Sequence, residues 1–358
     1  MASIQEFEKV LDQSDTSVAS FHSKSPLQRV QHFLHSSPAA VALIVLVLSI
    51  AVFGLILGGK FFSAFTLTLI LQQVAIVGIV GAAQTLVILT KGIDLSVGAI
   101  MVLSSVVMGQ FAFRYGLPPE LAVICGLGVG AFCGFINGVL VARMKLPPFI
   151  VTLAGMFMAR GLASILTQDS IPIDHDVYRA ISGLYYRLPG GGRLSAIGLL
   201  MLFVFLVGGI IAHKTRFGSY VYALGGNPTS AALMGVPVAR TTIGIYALAS
   251  FLGGLAGIVY SLYTSSGYPL AAVGMELDAI AAVVIGGTLL TGGYGFIFGT
   301  LIGVMLQGLV QTYIVFDGTL SSWWTKIAIG LLLFMFILLQ KLVFSAQGRG
   351  PRLKRAPA

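Results

Sequence analysis

Long stretches without a single charged residue dominate this sequence. A helix that crosses a bilayer needs roughly 20 consecutive, mainly apolar residues, and several uncharged runs reach or approach that length. The two runs nearest the C-terminus exceed one crossing, so each must fold back, break or extend beyond the membrane. The runs are 39–58, 61–90, 121–142, 194–212, 241–275 and 279–316.

Charged residues make up only 9% of the chain, against about 25% in a soluble domain. The sequence therefore predicts an all-α integral membrane protein of about ten transmembrane helices, with short broken or re-entrant helices. The partial repeat of one broken segment later in the chain hints at two pseudo-symmetric halves, which the family resemblance given below also implies. Eight or nine spans would follow if the helices near 95–113 or 278–291 are re-entrant. The membrane domain is expected at 39–342, between a disordered N-terminal tail (1–38) and a basic C-terminal tail (343–358).

The net charge of +9 raises the question of nucleic acid binding, but its distribution argues against that. Basic residues collect at the ends of apolar runs, which is the pattern that orients helices in a membrane. We therefore expect no nucleic acid partner, lipid around most of the chain, and both termini, with their basic residues, in the cytoplasm.

A charged residue interrupts the apolar pattern at Asp94, within the segment Gly92–Gly98. A carboxylate just before a helix can accept hydrogen bonds from free backbone amides, which favours a capping role. Contact with a transported molecule is the alternative, because broken helices in membranes often line binding sites. The later segment Gly274–Asp278 partly repeats this pattern and hints at an internal repeat.

Other polar side chains also lie inside apolar helices. Gln307 and Gln311 are four residues apart and share one helix face, and amides suit a neutral polyol because they both donate and accept hydrogen bonds. Hydrogen bonding between helices is the alternative for each such residue. Arg160 needs a partner inside the membrane, for which Asp94, Glu276 and Asp278 are the options. The candidate pathway residues are Gln84, Asp94, Ser96, Asn137, Arg160, Gln307 and Gln311.

The loop 213–240 contains a pattern for a short helix. Asn227 or Thr229 can cap it, Pro228 suits its first turn, and Gly235 can end it. A short capped helix between two spanning helices suits docking of a soluble partner, although it could equally pack on its own helix ends.

Motifs for chemistry are missing. The sequence has no phosphate-cradling G-x-x-x-x-G-K-[S/T], no H-E-x-x-H and no G-x-S-x-G. Cys125 and Cys133 lie in one predicted helix, about 12 Å apart, and have no zinc-site spacing. We expect no catalytic residue, no metal and no cofactor on this chain, so any ATP must bind elsewhere.

Three segments resemble the ribose/xylose/arabinose-type permeases of bacterial ABC importers. They are Lys91–Gly98, Gly225–Gly235 and Ala279–Gly293. The resemblance implies a permease in the bacterial inner membrane that works with a separate ABC ATPase, which binds ATP, and with a periplasmic sugar-binding protein. It also implies an ATPase-coupling helix containing Asn227, Thr229, Ala231 and Gly235.

Three further segments resemble the permeases of galactofuranose importers: Ser170–Asp174, Pro189–Ala196 and Gly318–Lys326. That resemblance implies galactofuranose or a related monosaccharide as the cargo, and a different, paralogous permease as partner in a heterodimer. The alternative is an ion-coupled secondary sugar transporter, for which Asp94 is the one clearly placed intramembrane carboxylate.

Overall fold

The computed structural model describes residues 38–58, 61–321 and 323–345. Within them the chain is predominantly helical. The α-helices are α1 Pro38–Leu57, α2 Ala64–Gln73, α3 Ala75–Leu89, α4 Val97–Gly109, α5 Pro119–Arg143, α6 Pro148–Leu166, α7 Asp176–Ser182, α8 Ala196–Lys214, α9 Arg216–Gly226, α10 Pro228–Leu233, α11 Val238–Thr264, α12 Met275–Ile285, α13 Ile297–Asp317 and α14 Trp323–Ser345. A π-helical turn, Gln110–Arg114, extends α4.

Helix length and composition support seven membrane spans in the described part of the chain, or eight if one bent pair counts as a span. The seven are α5, α6, α8, α11, α13, α14 and α4 with its π turn. This confirms an all-α membrane protein, whereas the count of ten and the symmetry of two halves stay predictions. The last helix runs to Ser345, beyond the predicted boundary at 342, and the tails 1–37 and 346–358 lie outside the described residues.

The bent pair consists of α2 and α3, which meet at Val74 at an angle of 54°. The uncharged run 61–90 predicts one continuous helix over about 62–90. The observed break corrects that prediction. No proline or glycine marks it. Instead, Gln73 accepts a hydrogen bond from Thr312 of α13 across the bend, at 3.0 Å, so the bend carries a polar contact between helices.

Two broken segments meet inside the bundle. Helix α12 has 11 residues, about 16 Å at 1.5 Å per residue, or roughly half a bilayer core. Its first turn carries Glu276, whose carboxylate lies against Gly98 in the first turn of α4. Gly98 has no side chain, which permits this approach. The starts of α4 and α12, which lie in the two similar sequence segments Gly92–Gly98 and Gly274–Asp278, are therefore neighbours.

Helix α3 lies at the centre of the fold and packs against α8, α11, α12 and α13. Small residues let neighbouring elements approach closely, as at Gly225 of α9, where an added Cβ would meet backbone atoms of Leu89 at the end of α3 and of Gly293 after α12. Helices α6 and α14 lie at the outside and expose most of their apolar surface.

A small structured region joins α6 to α8. Strand β1 (Ile171–Pro172) pairs antiparallel with β4 (Ser266–Gly267), and β2 (Tyr185–Arg187) pairs antiparallel with β3 (Arg193–Ser195). Helix α7 lies between β1 and β2. These elements cover one end of the bundle. Counting crossings along the predicted helices from a cytoplasmic N-terminus places the loop 168–193 outside, so the charge pattern predicts that this end is external.

Candidate functional site

Four of the predicted pathway residues form one buried polar cluster. Asp94 Oδ1 accepts hydrogen bonds from the Ser96 backbone N–H (2.8 Å) and from the Ser96 hydroxyl (2.6 Å). Asn137 of α5 donates to the Ser96 hydroxyl at 3.0 Å, and Gln84 of α3 donates to the main-chain oxygen of Asp94 at 3.1 Å. The cluster therefore ties the break before α4 to two neighbouring helices.

The hydrogen bonds of Asp94 are those of a side chain that organises the start of a helix. Its Oδ1 holds the turn that leads into α4, as the capping interpretation predicts. Its Oδ2, the Gln84 Oε1 atom and the Tyr246 hydroxyl are buried and have no hydrogen-bond partner within the described residues. The cluster is thus a structural anchor that retains unused hydrogen-bonding capacity.

Gln307 and Gln311 lie elsewhere, on a cavity of about 590 Å³ between the α2–α3 bend, α12, α13 and α14. Gln307 donates to the main-chain oxygen of Asp278 at 3.0 Å. The Asp278 carboxylate forms an ion pair with Lys326 of α14. The prediction that the two glutamines share one face is confirmed, and sequence reasoning missed the ion pair and Gln73, which also lines the cavity.

Arg160 belongs to neither group. Its guanidinium donates to the main-chain oxygens of Ala271 (2.6 Å) and Ala272 (3.0 Å). The ion pairs among the described residues involve Arg179 and Lys326 only, so none of Asp94, Glu276 and Asp278 forms a direct ion pair with Arg160, although the Glu276 carboxylate is near enough to act on it electrostatically. Backbone carbonyls satisfy the guanidinium instead, and these contacts hold the segment before α12 against α6.

The predicted short helix in loop 213–240 exists as α10. Asn227 caps it, because its Oδ1 accepts hydrogen bonds from the backbone N–H groups of Thr229 (2.9 Å) and Ser230 (3.1 Å). The helix ends at Gly235, which has φ +83°, in the left-handed region that glycine adopts easily. The predicted cap and stop are confirmed, with Asn227 rather than Thr229 as the capping residue.

The two faces of α10 differ sharply. Ala231 is fully buried, so it packs against the protein and does not face a partner. Leu233 and Met234 are 86% and 74% exposed, in the segment between the candidate spans α8 and α11. Leu233 and Met234 were not predicted as a site from the sequence, although two consecutive large apolar residues before a glycine stop are a usable signal.

Two backbone contacts connect α10 to the broken segments. Lys91 Nζ donates to the main-chain oxygen of Gly226, the residue before Asn227, at 3.1 Å. The Gly293 N–H donates to the main-chain oxygen of Leu89 at 2.8 Å. The loop before α10, the loop before α4 and the loop after α12 therefore meet at one junction.

The sequence that folds into this helical bundle with broken helices matches the model of a known family. A model described as the permease component of the branched-chain amino acid transport system matches residues 66–337. The chain belongs to this permease family. The permease is accordingly a multi-pass transport subunit and not an enzyme.

Individual relatives agree with this placement. The permease is 54% identical to the fructose import permease protein FrcC of Rhizobium meliloti over 93% of this chain and 94% of that protein. It is 56% identical to the inner membrane ABC transporter permease protein YjfF of Escherichia coli (76% and 82%). It is 37% identical to the ribose import permease protein RbsC of Bacillus subtilis (92% and 98%). No solved structure matches the permease with significant similarity.

Proposed function

We propose that this chain is the transmembrane permease subunit of an ATP-binding-cassette importer that moves a monosaccharide across the bacterial inner membrane, with both termini in the cytoplasm. The observation that carries the proposal is the capped helix α10, whose exposed Leu233 and Met234 offer an apolar contact on a loop between spans. Its backbone connection to the breaks at Leu89–Lys91 and Gly293 provides a route for movement into the bundle.

The proposed partners are those that the family resemblance implies. An ABC ATPase binds ATP and docks on α10, while this chain itself binds no cofactor. A second permease, a different paralogue, completes the pathway and covers part of the exposed apolar surface. A periplasmic sugar-binding protein delivers the sugar to the external loops, including 168–193. These partners accord with a resemblance to importer permeases and with relatives named as import permeases.

The proposed mechanism is alternating access. ATP binding in the ATPase displaces α10, the junction transmits the movement to the start of α4 and to the loop after α12, and the two permeases rock to pass the sugar. The polar residues Gln84, Asp94, Ser96 and Asn137 hold the α4 break in place during this movement. Such a change requires contacts that differ between the two states, and the loop junction supplies them.

Galactofuranose, or a related sugar, is the proposed cargo. The support is the resemblance of the segments at 170–174, 189–196 and 318–326 to permeases of galactofuranose importers. Fructose is the second candidate, because a fructose import permease is 54% identical over nearly the whole chain, and ribose the third. All three sugars form five-membered rings, so one pathway chemistry can accommodate them.

Uptake by the complete importer tests the proposal. A strain that lacks this chain is complemented with it and supplied with labelled galactofuranose, fructose, ribose, xylose and glucose. We expect accumulation of a furanose-forming sugar that requires this chain, the ATPase and the binding protein. Failure to accumulate any of the sugars, or an unchanged uptake without this chain, would contradict the proposal.

An ion-coupled secondary transporter remains the competing function. It would require a carboxylate that titrates or holds an ion inside the membrane. Asp94 is fully buried, but its Oδ1 is occupied by the turn before α4, which a capping role explains.

A further inference from the structure

The cavity between the α2–α3 bend, α12, α13 and α14 is large enough to hold a sugar. Its volume is about 590 Å³, within the roughly 300–1,000 Å³ typical of small-molecule sites. It lies at the end of the bundle where the chain turns from α13 to α14, as its lining by Gly318 and Leu320 indicates. The charge pattern predicts that this end is external.

Charged and amide side chains lie among the apolar residues that line the cavity. Charged and amide side chains in a membrane protein are costly against lipid and normally face an aqueous space. Here an ion pair, Asp278 with Lys326, and three amides line the cavity. The amides belong to Gln73, Gln307 and Gln311. This indicates a hydrated cavity that suits a polar solute.

The side chains differ in how free they are to bind. Gln307 donates an amide N–H to the main-chain oxygen of Asp278, so it helps to position α12. Gln311 is exposed to the cavity and can both donate and accept. Trp323 is 76% exposed and lines the same cavity. A flat indole face can pack against the apolar C–H face of a sugar ring, while its rim stays polar.

We propose that this cavity is a transit site for a neutral monosaccharide, with Gln311 and the Asp278–Lys326 pair binding ring hydroxyls and Trp323 packing against the ring. The inference rests on the proposed sugar transport and adds the location of the sugar. The Asp94 cluster is not this site, because Gln84, Asp94, Ser96 and Asn137 do not line the cavity. The two polar groups therefore have separate roles: the cavity side chains contact the sugar, and the Asp94 cluster supports the break before α4.

Adjacent tryptophans provide a matched test. Trp323 lines the cavity, whereas Trp324 does not and is 50% exposed. In vesicles that contain the complete importer, Trp323→Ala removes the proposed contact with the sugar ring. We expect the maximal rate of sugar uptake to fall about tenfold. Trp324→Ala should stay within about twofold of wild type. ATP hydrolysis stimulated by the loaded binding protein should persist in both variants, because docking and α10 are unchanged.

Protection from labelling provides a second measurement that does not depend on transport. In a background where Cys125 and Cys133 are serine, Gln311→Cys should react with a maleimide more slowly when galactofuranose, fructose or ribose is present at saturation. Asp169→Cys, in the exposed loop after α6, should react at the same rate with and without sugar.

The outcomes separate the two proposals. Wild-type uptake combined with normal uptake in Trp323→Ala and no sugar protection at residue 311 would overturn the cavity site and leave the importer intact. Wild-type vesicles that accumulate none of the sugars would overturn the importer itself. Slower uptake in Trp323→Ala together with protection at residue 311 would establish the site.

Discussion

Lys91 donates a hydrogen bond to the main-chain oxygen of Gly226 at 3.1 Å, although 135 residues separate them in sequence. Gly226 is the last residue of α9, so the ammonium group also lies at the negative end of that helix. The contact joins the break before α4 to the residue before α10. It is therefore a direct link between the segment that leads into the proposed ATPase-docking helix and the break before α4.

Removing this link should weaken coupling without preventing assembly. Lys91→Ala loses one hydrogen bond from a charged donor at an exposed site, and we expect the ratio of sugar transported to ATP hydrolysed to fall about threefold to tenfold. Lys214→Ala, which removes an equal charge at the end of α8, is the control and should keep the wild-type ratio. Equal ratios in both variants would show that Lys91 does not transmit the movement.

The exposed apolar pair on α10 should bind the ATPase. Leu233→Asp combined with Met234→Asp places two charges in that contact, and a lost interface anchor typically costs about 2 kcal/mol or more. We expect co-purification of the ATPase to fall at least about tenfold. Leu184→Asp, an exposed leucine near β2, should not affect it. Undiminished co-purification of the double variant would exclude α10 as the docking element.

Ala231 and Gly235 are poor positions for that test. Ala231 is fully buried, so a bulky charge there would disrupt packing. Gly235 has φ +83°, so any side chain would strain the backbone. A loss of function at either residue would report damage to α10 itself and not the loss of a partner contact.

Substitutions at Asp94 distinguish ATP-driven transport from ion-coupled transport. Asn at this position keeps an oxygen that can accept from the Ser96 N–H but removes the carboxylate, whereas Ala removes the acceptor. If Asp94 only caps, Asp94→Asn should transport at near the wild-type rate, and Asp94→Ala should lose about 1 kcal/mol of stability. Thermal unfolding in detergent and uptake measure the two effects. Abolished uptake in Asp94→Asn would favour ion coupling.

The region between α6 and α8 should show a tyrosine-linked loss of stability at high pH. Burial, helped by the negative charge of Glu120, raises the pKa of Tyr178 to about 12, and its hydroxyl donates to the Pro119 main-chain oxygen at 2.9 Å. A raised folded-state pKa contributes stability that is present below the unfolded value of about 10 and is lost as pH rises towards 12. Tyr178→Phe should therefore lose less thermal stability than wild type between pH 10 and pH 12.

Tyr185 provides a control of opposite sign. A hydrogen bond from Arg187 and the positive charges of Arg187 and Arg193 lower the pKa of Tyr185. Its ionised form is favoured in the folded protein, so Tyr185→Phe should lose slightly more stability than wild type as pH rises through about 10. Identical pH profiles for both variants and wild type would contradict the proposed environments of these side chains.

Local signals predicted those features that depend on neighbours in sequence. Asp94 and Asn227 accept hydrogen bonds from backbone N–H groups two or three residues ahead, Asp94 at the turn before α4 and Asn227 at the start of α10. The four-residue spacing of Gln307 and Gln311 places them on one face because helix geometry alone determines it. The long uncharged runs identified a membrane protein because the length of such a run is itself a local property of the sequence.

Features that depend on tertiary packing were not predictable. The bend at Val74 has no proline or glycine, and its polar contact is with Thr312. Arg160 found main-chain carbonyls, which carry no sequence signal. The cavity brings Gln73 and Trp323 together from distant helices, and the burial of Ala231 depends on which face of a six-residue helix meets the protein.

The energy source for accumulation tests the central claim most directly. Vesicles are loaded with the two permeases, the ATPase and the sugar-binding protein, and labelled sugar is followed with or without ATP and with or without an ionophore that dissipates ion gradients. We predict accumulation that requires ATP hydrolysis and survives the ionophore. Accumulation that the ionophore abolishes, and that continues when the ATPase is omitted, would contradict the account.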